Sequence, residues 1–279
     1  MEIYDYWKKE LELDKKFKLK GFSRGSLRTG FMLLPCKIFL DCGVPSPVKP
    51  NAILITHSHQ DHIDALYSNL INNNSDSQSN LKVIVIGTNI LINNLKDYLT
   101  ACKSLNCGFK SKFNNWTPMP IINELIININ NIKYLINAYN LDHQIECIAY
   151  GLCEIRQKLK EEYKTNTEEE LKKLKLTNEL NYEYSYPILL FCGDMNYTSL
   201  KTLPFEMYPY IIIECTFFED THLLEARNKK HLHITDLIPY FEKYLNTKFI
   251  LIHFSCRYTK NQIKQYSNNY IFSNVIFWL

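Results

Sequence analysis

The segment ITHSHQDHIDAL, residues 55–66, places four side chains of the metal-binding type within six positions. They are His57, His59, Asp61 and His62, in a chain that has only 8 histidines. The apolar run AILIT directly before them predicts a buried strand. In an extended chain His57 and His59 point to the same side, and the turn into a following helix would bring Asp61 and His62 towards the same spot. Such groups are costly to bury unless they are paired or bound to a metal, so the pattern predicts a metal site.

Three more candidate ligands stand near the ends of other apolar runs. His143 follows the predicted strand NIKYLINAYN, Asp194 ends PILLFCGD, and His253 ends KFILIH. Four clustered donors cannot all bind one small ion and leave positions open for a substrate, so we expect two divalent ions. Imidazole and carboxylate groups suit zinc, and they also suit manganese or iron. We therefore expect Zn²⁺ first, with Mn²⁺ or Fe²⁺ as alternatives.

Apolar runs rich in isoleucine and leucine recur from about residue 31 and predict strands. The run TNILINNLKDYLTACKSL has helical spacing, another helix is expected at about 235–245, and NNNSDSQSN at 72–80 predicts a loop. Strands and helices mix without strict alternation. This order predicts an α+β fold with sheets packed together and helices outside, and it disfavours a doubly wound parallel sheet.

Residues 154–180 differ from the rest because lysine and glutamate alternate there at helical spacing. We expect two short solvated helices with a break near Thr165, the second one opening on TNTEEE, a threonine before an acidic first turn. The segment is either a charged surface insertion or an arm that contacts a substrate. We treat 1–279 as a single domain that carries this insertion.

Composition excludes several classes of protein. The chain has 279 residues, 46% hydrophobic and 22% charged, which is ordinary for a globular protein, and its net charge of +3 is too small to indicate nucleic-acid binding by itself. The 9 cysteines form no CxxC pair, which argues against zinc fingers and thioredoxin-like sites. The charged N-terminal segment lacks a secretory signal, and no apolar run is long enough to span a membrane. We expect an intracellular protein with reduced thiols and no membrane segment, in the cytoplasm or the nucleus.

The segment THSHQDH resembles the HxHxDH signature of the metallo-β-lactamase superfamily. The later motifs of that superfamily also follow in order over about residues 21–260, as a single histidine, a Gly-Asp after a strand and a strand-ending histidine. The resemblance implies a four-layer αββα sandwich, with two packed mixed β-sheets flanked by helices. It implies that one ion is held by His57, His59 and His143, that the other is held by Asp61, His62 and His253, and that Asp194 bridges them.

Several details are similar to tRNase Z, the endonuclease branch that trims the 3′ side of precursor tRNA. HFSCRY at 253–258 is similar to its His-x-Ser-x-Arg-Tyr, and HLHIT at 231–235 resembles its His-Ser-Thr segment. ECTF at 214–217 resembles its His-Glu-Ala-Thr segment, although Ile213 stands for the histidine. The Gly- and Pro-rich arm with which this branch grips tRNA is not evident. The resemblance implies precursor tRNA as the RNA partner and allows a homodimer.

The same resemblance implies roles for individual residues. Asp61 would serve as the base that orients a hydroxide shared by the two ions, and His233 would donate a proton to the leaving 3′ oxygen or stabilise the phosphate. The segment NKKHLHITDL also allows His231 to point inward instead. A substrate contact is also expected from Thr235, and Arg257 and Tyr258 either contact phosphate or pack the last strand.

Two other functions compete with this interpretation. A small-molecule metallo-hydrolase on the same fold would act on a thioester, a lactone or a cyclic nucleotide, and the modest charge leaves it open. HFSCRY and HLHIT favour RNA. A binding protein without catalysis would be expected to have lost ligands, whereas all seven are present in the sequence.

Overall fold

The computed structural model describes residues 3–71, 82–175, 179–269 and 271–279. The loop predicted at 72–80 lies outside the described residues. Two seven-stranded sheets form the centre of the molecule.

The first sheet contains the N-terminal strands in chain order, β1 to β7. The first four strands pair antiparallel, and β4 to β7 pair parallel, so the sheet is mixed. The bounds are β1 Glu10–Glu12, β2 Lys18–Arg24, β3 Arg28–Leu34, β4 Ile38–Leu40, β5 Ala52–Leu54, β6 Val83–Gly87 and β7 Trp116–Pro120.

The second sheet contains the C-terminal strands, again in chain order. Strands β8 to β11 pair antiparallel, and β11 to β14 pair parallel. The bounds are β8 Glu124–Ile129, β9 Ile132–Leu141, β10 Cys147–Leu159, β11 Asn181–Phe191, β12 Tyr210–Glu214, β13 Lys248–Ile252 and β14 Val275–Phe277.

Seven helices flank the sheets in the described part of the chain. They are α1 Gln60–Ile63, α2 Leu66–Ile71, α3 Asn89–Cys107, α4 Glu168–Leu174, α5 Leu223–Lys229, α6 Ile234–Lys243 and α7 Lys260–Asn268. The helices predicted from the TNILINNLKDYLTACKSL run and from about 235–245 are α3 and α6. In the described ranges, none of these helices combines the length and the apolar character that crossing a membrane requires.

Three separate apolar cores define the layers. One core lies between the sheets and includes Phe31, Tyr150 and Phe191. A second core packs α1 to α3 against the first sheet, and a third packs α6 and α7 against the second sheet. Helix, sheet, sheet and helix therefore follow one another, which confirms the predicted αββα sandwich.

Parallel pairing explains why polar side chains meet at one edge of this sandwich. In the second sheet β11, β12 and β13 run side by side, so Asp194, Glu214 and His253 follow or end adjacent strands at the same edge. In the first sheet β4 and β5 are parallel neighbours, so Asp41 and His57 also lie just beyond adjacent strand ends. The ends of parallel strands are where α/β-type sheets commonly place functional side chains.

The Lys/Glu segment differs in part from its prediction. Residues 154–159 belong to β10 and pair with β11 as far as Leu159 opposite Asn181, so this stretch is a strand and the predicted first helix is wrong there. Beyond it come a 3-10 turn at Glu161–Tyr163 and helix α4, which begins with a capping box from Thr167. The helical spacing was misleading because cross-strand pairing, which the local pattern does not contain, determines the conformation of 154–159.

Gly43 is a point at which the fold and the metal-ligand segment touch. A Cβ at this position would lie 1.8 Å from the carbonyl oxygen of Asp61 and 2.9 Å from the amide nitrogen of Thr29. Both atoms belong to the main chain, so the two segments would have to separate. Gly108 offers a matched comparison, because its φ of +74° is left-handed and nothing lies within 4 Å of an added Cβ.

We predict that Gly43→Ala lowers the free energy of unfolding by about 1–3 kcal/mol and also weakens metal binding, because it displaces Asp61. Gly108→Ala should cost about 1–2 kcal/mol through backbone strain alone and leave metal affinity unchanged. Urea unfolding of the metal-free protein and a metal titration measure the two effects. Equal metal affinity in both variants would contradict the coupling.

Candidate metal centre

The predicted ligands from the first sheet all lie on the chain that leaves β5. His57 comes at the end of the extended stretch, His59 is the residue before α1, and Asp61 and His62 lie within that four-residue helix. His57 and His62 are buried, while Asp61 keeps 13% of its side chain exposed. The Nε2 atom of His57 lies 3.1 Å from Nδ1 of His59. The compact turn thus gathers all four donors.

The second sheet supplies the other three predicted ligands. His143 Nε2 lies 3.3 Å from Nδ1 of His59, and His253 Nε2 lies 3.2 Å from Oδ2 of Asp61. Asp194 lies between the two halves, with Oδ2 at 3.7 Å from His57 Nε2 and 3.4 Å from His253 Nε2.

The donor atoms fall into groups whose members are close enough to share one ion. His57, His59, His143 and Asp194 form one group, and Asp61, His62 and His253 form another. Asp194 is also grouped with His231 and His253, so its carboxylate reaches both sides. The structure thereby brings the side chains of all seven candidate ligands together.

The chemistry of this donor set fits divalent cations. His62 Nδ1 is hydrogen-bonded to Asp41 at 2.7 Å, whereas its Nε2 is buried without a hydrogen-bond partner among the described residues. That orphaned atom lies 3.5 Å from Oδ2 of Asp194 and 3.8 Å from Oδ2 of Asp61. Buried polar atoms are normally satisfied. A cation among these three side chains would satisfy Nε2 and both carboxylates together.

The electrostatics of the cluster agree with this fit. Burial lowers the pKa of His57, His59 and His143, with neighbouring imidazoles adding to the effect for His57 and His59, which favours the neutral form that a metal ligand needs. For His62, burial opposes the charged form, but the carboxylates of Asp194 and Asp41 raise its pKa well above the usual value. The carboxylates of Asp194 and Asp41 therefore favour a positive charge at the position of the His62 ring.

Asp41 is a supporting residue that the sequence reasoning missed. Its buried carboxylate accepts hydrogen bonds from the amide and the hydroxyl of Thr56 and from Nδ1–H of His62. Thr56 Oγ1 in turn lies 2.9 Å from Nδ1 of His57. Asp41 therefore orients two ligand rings, as carboxylates beside metal-binding histidines commonly do. Its only sequence signal is an aspartate directly after the short apolar run IFL, two residues before Gly43.

The ligands from the second sheet are held in the same manner. Nδ1 of His143 donates to the carbonyl of Lys230 at 3.0 Å. His253 has a left-handed φ of +61°, its amide donates to Ser23 Oγ at 3.0 Å, and its Nδ1 lies 3.0 Å from Thr216 Oγ1. These bonds leave Nε2 of both rings facing the cluster.

The two histidines of HLHIT occupy different environments. His233 is fully buried and caps the N-terminus of α6, with Nδ1 at 2.8 Å from Thr235 Oγ1 and Nε2 donating to the carbonyl of Glu219. Both its ring nitrogens are occupied, and it belongs to none of the donor groups. His231 instead stacks against His253 with ring centroids 5.5 Å apart. The structure therefore places His231 at the cluster, where His233 had been expected.

Glu214 fixes the orientation of His231. Its two carboxylate oxygens each lie 3.1 Å from Nδ1 of His231, and one of them accepts the amide of Met195 next to Asp194. Burial opposes a charge on His231, but Glu214 raises its pKa to about 9. Because Glu214 occupies Nδ1 of His231, Nε2 is the ring atom that could contact a ligand. No hydrogen bond joins this Nε2 to another residue in the described part of the chain.

The three predicted substrate contacts lie at different depths. Thr235 is exposed on the first turn of α6, and Arg257 is exposed but forms a two-point ion pair with Glu225. Tyr258 is buried, stacks on Phe218, and shares its hydroxyl with Nδ1 of His222 at 2.7 Å. His222, which has no motif, thus supports the loop after His253.

Comparisons with known proteins agree with this geometry. No protein-family model matches the chain. In sequence, the chain is 26% identical over 269 residues to a tRNase Z of Arabidopsis thaliana, covering 92% of this chain and 91% of the plant protein. In structure, it is similar to a metallo-β-lactamase fold protein of Bacillus subtilis, YhfI, with a TM-score of 0.59, 12% identity and coverage of 92% of this chain and 93% of that one. The protein has the metallo-β-lactamase fold.

Two further solved structures share the metallo-β-lactamase fold of this chain. Human tRNase Z, short form, gives a TM-score of 0.58 at 16% identity, covering 92% of this chain and 94% of the human chain. Yeast PDE1 gives a TM-score of 0.58 at 12% identity, covering 95% of this chain and 98% of the yeast chain. The resemblance drawn from THSHQDH and the later motifs is confirmed.

We predict that Asp41→Asn weakens divalent-metal binding by about 10- to 100-fold. The new amide would face Nδ1 of His62 with a donor, which favours the tautomer that protonates Nε2 and removes its lone pair. Competition with a chromogenic chelator measures the affinity. Asp64→Asn is the matched control, because Asp64 lies near the same helix but pairs with Arg28 at the surface. Equal affinities in the two variants would contradict the role of Asp41.

Proposed function

We propose that the protein is a metal-dependent phosphodiesterase of the tRNase Z type, which cleaves the 3′ trailer of precursor tRNA. The observation that carries the proposal is the gathering of all seven donors in a chain that is similar to a plant tRNase Z over 92% of its length. An intracellular location is part of the same proposal, because precursor tRNA is found inside cells. A homodimer stays a prediction.

The proposed cofactor is a pair of divalent ions. His57, His59 and His143 would hold one ion, Asp61, His62 and His253 the other, and Asp194 both. Nitrogen and oxygen donors of this kind favour Zn²⁺ and also accept Mn²⁺ or Fe²⁺. Such a pair supplies an activated water and neutralises charge on the phosphate.

The protein's own residues would position the reaction and move its protons. Asp61 is the most exposed carboxylate of the cluster, and the amide of Ser26 donates to its Oδ2 at 2.9 Å. This bond orients the carboxylate, which is our candidate for the base that directs the attacking water. His231 is the proposed proton donor to the leaving 3′ oxygen, in place of His233, because its Nδ1 is held by Glu214 and its Nε2 is free for the substrate.

Contacts to RNA outside the metal centre are less specific. Thr235 and Arg257 are exposed and stay proposed phosphate contacts, whereas the hydroxyl of Tyr258 is already bonded to His222. The exposed end of the β10–β11 hairpin is the proposed counterpart of the arm that grips tRNA. Lysines and glutamates alternate along this segment of the sequence.

The alternative of a small-molecule metallo-hydrolase has no observation of its own in its favour. The solved structures that share the fold are all below 25% identity and show only the fold. A binding protein without catalysis is disfavoured, since the seven donors converge and His231, the proposed proton donor, lies beside them.

Cleavage of a precursor tRNA that carries a 3′ trailer tests the proposal. We expect the purified protein to cut just after the discriminator nucleotide, and Asp61→Ala to abolish the cut, while Asp64→Ala retains it. Bis(p-nitrophenyl) phosphate, assayed in parallel, separates the alternatives. Hydrolysis of this small diester with the tRNA left intact would overturn the RNA substrate and keep the phosphodiesterase.

The exchange of roles between the two histidines gives a second prediction. His231→Ala should lower kcat by about 10²–10⁴-fold with metal content unchanged, because it removes a proton donor and no metal ligand. His233→Ala should mainly lower the free energy of unfolding, because it removes the N-cap of α6. Loss of a bound ion in His231→Ala would instead identify His231 as a ligand, and a kcat loss confined to His233→Ala would restore the original assignment.

A further inference from the structure

A cavity of ≈ 760 Å³ lies apart from the metal centre, and none of the seven donors lines it. It is enclosed by the N-terminal turn, by β2 with the loop that follows, by the start of α7 and by the C-terminal residues. Pockets of about 300–1,000 Å³ are the usual size for small organic ligands.

Positive charge dominates the polar part of its lining. Lys9, Arg24 and Lys260 all line the cavity, and none of them forms an ion pair with another residue in ranges 3–71, 82–175, 179–269 and 271–279. Lys8 also lines it but is paired with Asp5. Unpaired cations gathered around one space attract an anion.

Lys9 shows that this arrangement has an electrostatic cost. Its ammonium donates to the carbonyl of Phe277 at 3.0 Å and stands 4.7 Å from the centre of the Trp278 ring. Burial, and then the charge of Lys260, lower the pKa of Lys9 to about 8. An anion bound between Lys9 and Lys260 would stabilise the charged form of Lys9 and offset the repulsion between the two ammonium groups.

The rest of the wall is apolar and partly aromatic. Phe22 and Leu27 line the cavity with side chains that solvent can reach, and the buried Trp278 also contributes to its wall. A simple anion or an acidic peptide would use the lysines and leave this surface without a partner. A flat aromatic group joined to a phosphate matches both parts, as in proteins that bind single strands by combining cations with stacking surfaces.

The cavity shares its wall with the metal centre. Arg24 and Leu27 line the cavity, and Ser26, which lies between them in the chain, donates its amide to Asp61. Arg24 donates to the carbonyls of Ser255 and Tyr258, in the segment that follows the ligand His253. The loop at 24–27 and the segment after His253 therefore lie between the cavity and the proposed site of cleavage.

We propose that this cavity binds a nucleotide, with its phosphate at Lys9 and Lys260 and its base against Phe22 and Leu27. In the enzyme the nucleotide belongs to a single-stranded part of the RNA substrate, an assignment that rests on the proposed function. The same chemistry is offered by a free mononucleotide, and the experiment separates the two sources.

Calorimetric titration of the full chain with AMP, with a 5′-phosphorylated RNA tetranucleotide and with inorganic phosphate tests the proposal. We expect the tetranucleotide to bind. Lys9→Gln and Lys260→Gln should each raise its Kd by about tenfold, because each removes a hydrogen bond from a charged donor to the phosphate, and such bonds are stronger than neutral ones. Glutamine removes the charge and keeps an N–H donor on a side chain that is one atom shorter. Lys264→Gln is the matched control, because Lys264 lies on α7 outside the cavity lining and should leave the Kd unchanged.

Each outcome bears on the proposal. Tighter binding of the tetranucleotide than of AMP supports the RNA source, and equal affinity that both lysine variants weaken supports a free nucleotide at the same site. Affinity for inorganic phosphate equal to that for AMP overturns the base contact. Absence of binding, or an unchanged Kd in both lysine variants, overturns the site.

The kinetics of tRNA cleavage keep this inference separate from the proposed function. If the RNA passes through the cavity, Lys9→Gln raises KM for precursor tRNA and leaves kcat unchanged, because the substitution touches none of the metal donors. If the wild-type protein fails to cleave precursor tRNA, the proposed function fails, while the titrations still decide whether the cavity binds nucleotides.

Discussion

The constraint on which the rest of the structure depends is the burial of imidazole and carboxylate groups together at one edge of two sheets. His57 and His62 are shielded from water, Asp194 is nearly so, and Nε2 of His62 has no hydrogen-bond partner among the described residues. Isolated charges and unpaired polar groups in such a place are destabilising. A divalent cation changes the balance because it satisfies the lone pairs of the rings and the charge of the carboxylates at once. The donor set of the cluster therefore fits a site that binds cations.

The backbone around the cluster is arranged to serve the same constraint. Asp41 and His253 both adopt left-handed φ angles, +55° and +61°, although neither is glycine. Each such residue costs about 1–3 kcal/mol, and it persists only where the surroundings hold it in place. Asp41 is held by Thr56 and His62, and His253 by Ser23 and Thr216. The same contacts that maintain the strain also orient the rings of His62 and His253 within the cluster.

The seven candidate ligands could be proposed from the sequence because their signal is local. A polar residue directly after an apolar run marks a strand end, and parallel strand ends converge, so the seven donors could be found without coordinates. The pair His231 and His233 could not be separated in this way, because residues two apart in an extended chain point to the same side. What decides between them is the start of α6: Asp236, three residues after His233, completes a capping box and fixes His233 as the N-cap. The signal was present in HLHITD, but a histidine is an unusual cap.

Other features depended on contacts between distant segments. Residues 154–159 have helical spacing, yet they pair with β11 across the hairpin, so tertiary pairing overrides the local pattern. Asp41 is one aspartate at the end of a short run, and its role becomes visible only once β4 and β5 lie side by side. Both misses have one cause, which is that the decisive partner lies at least 15 residues away in the chain.

Net charge shows why composition alone could not decide whether this chain binds RNA. The value of +3 is the small difference between 32 basic and 29 acidic residues, and it describes no particular place on the surface. Many of these charges cancel locally, as in the pairs of Arg257 with Glu225 and of Arg28 with Asp64. Lys9 and Lys260, which form no ion pair among the described residues, both line one cavity. A polyanion responds to the local field and not to the net charge, so a nearly neutral chain can still attract phosphate where its cations lie close together.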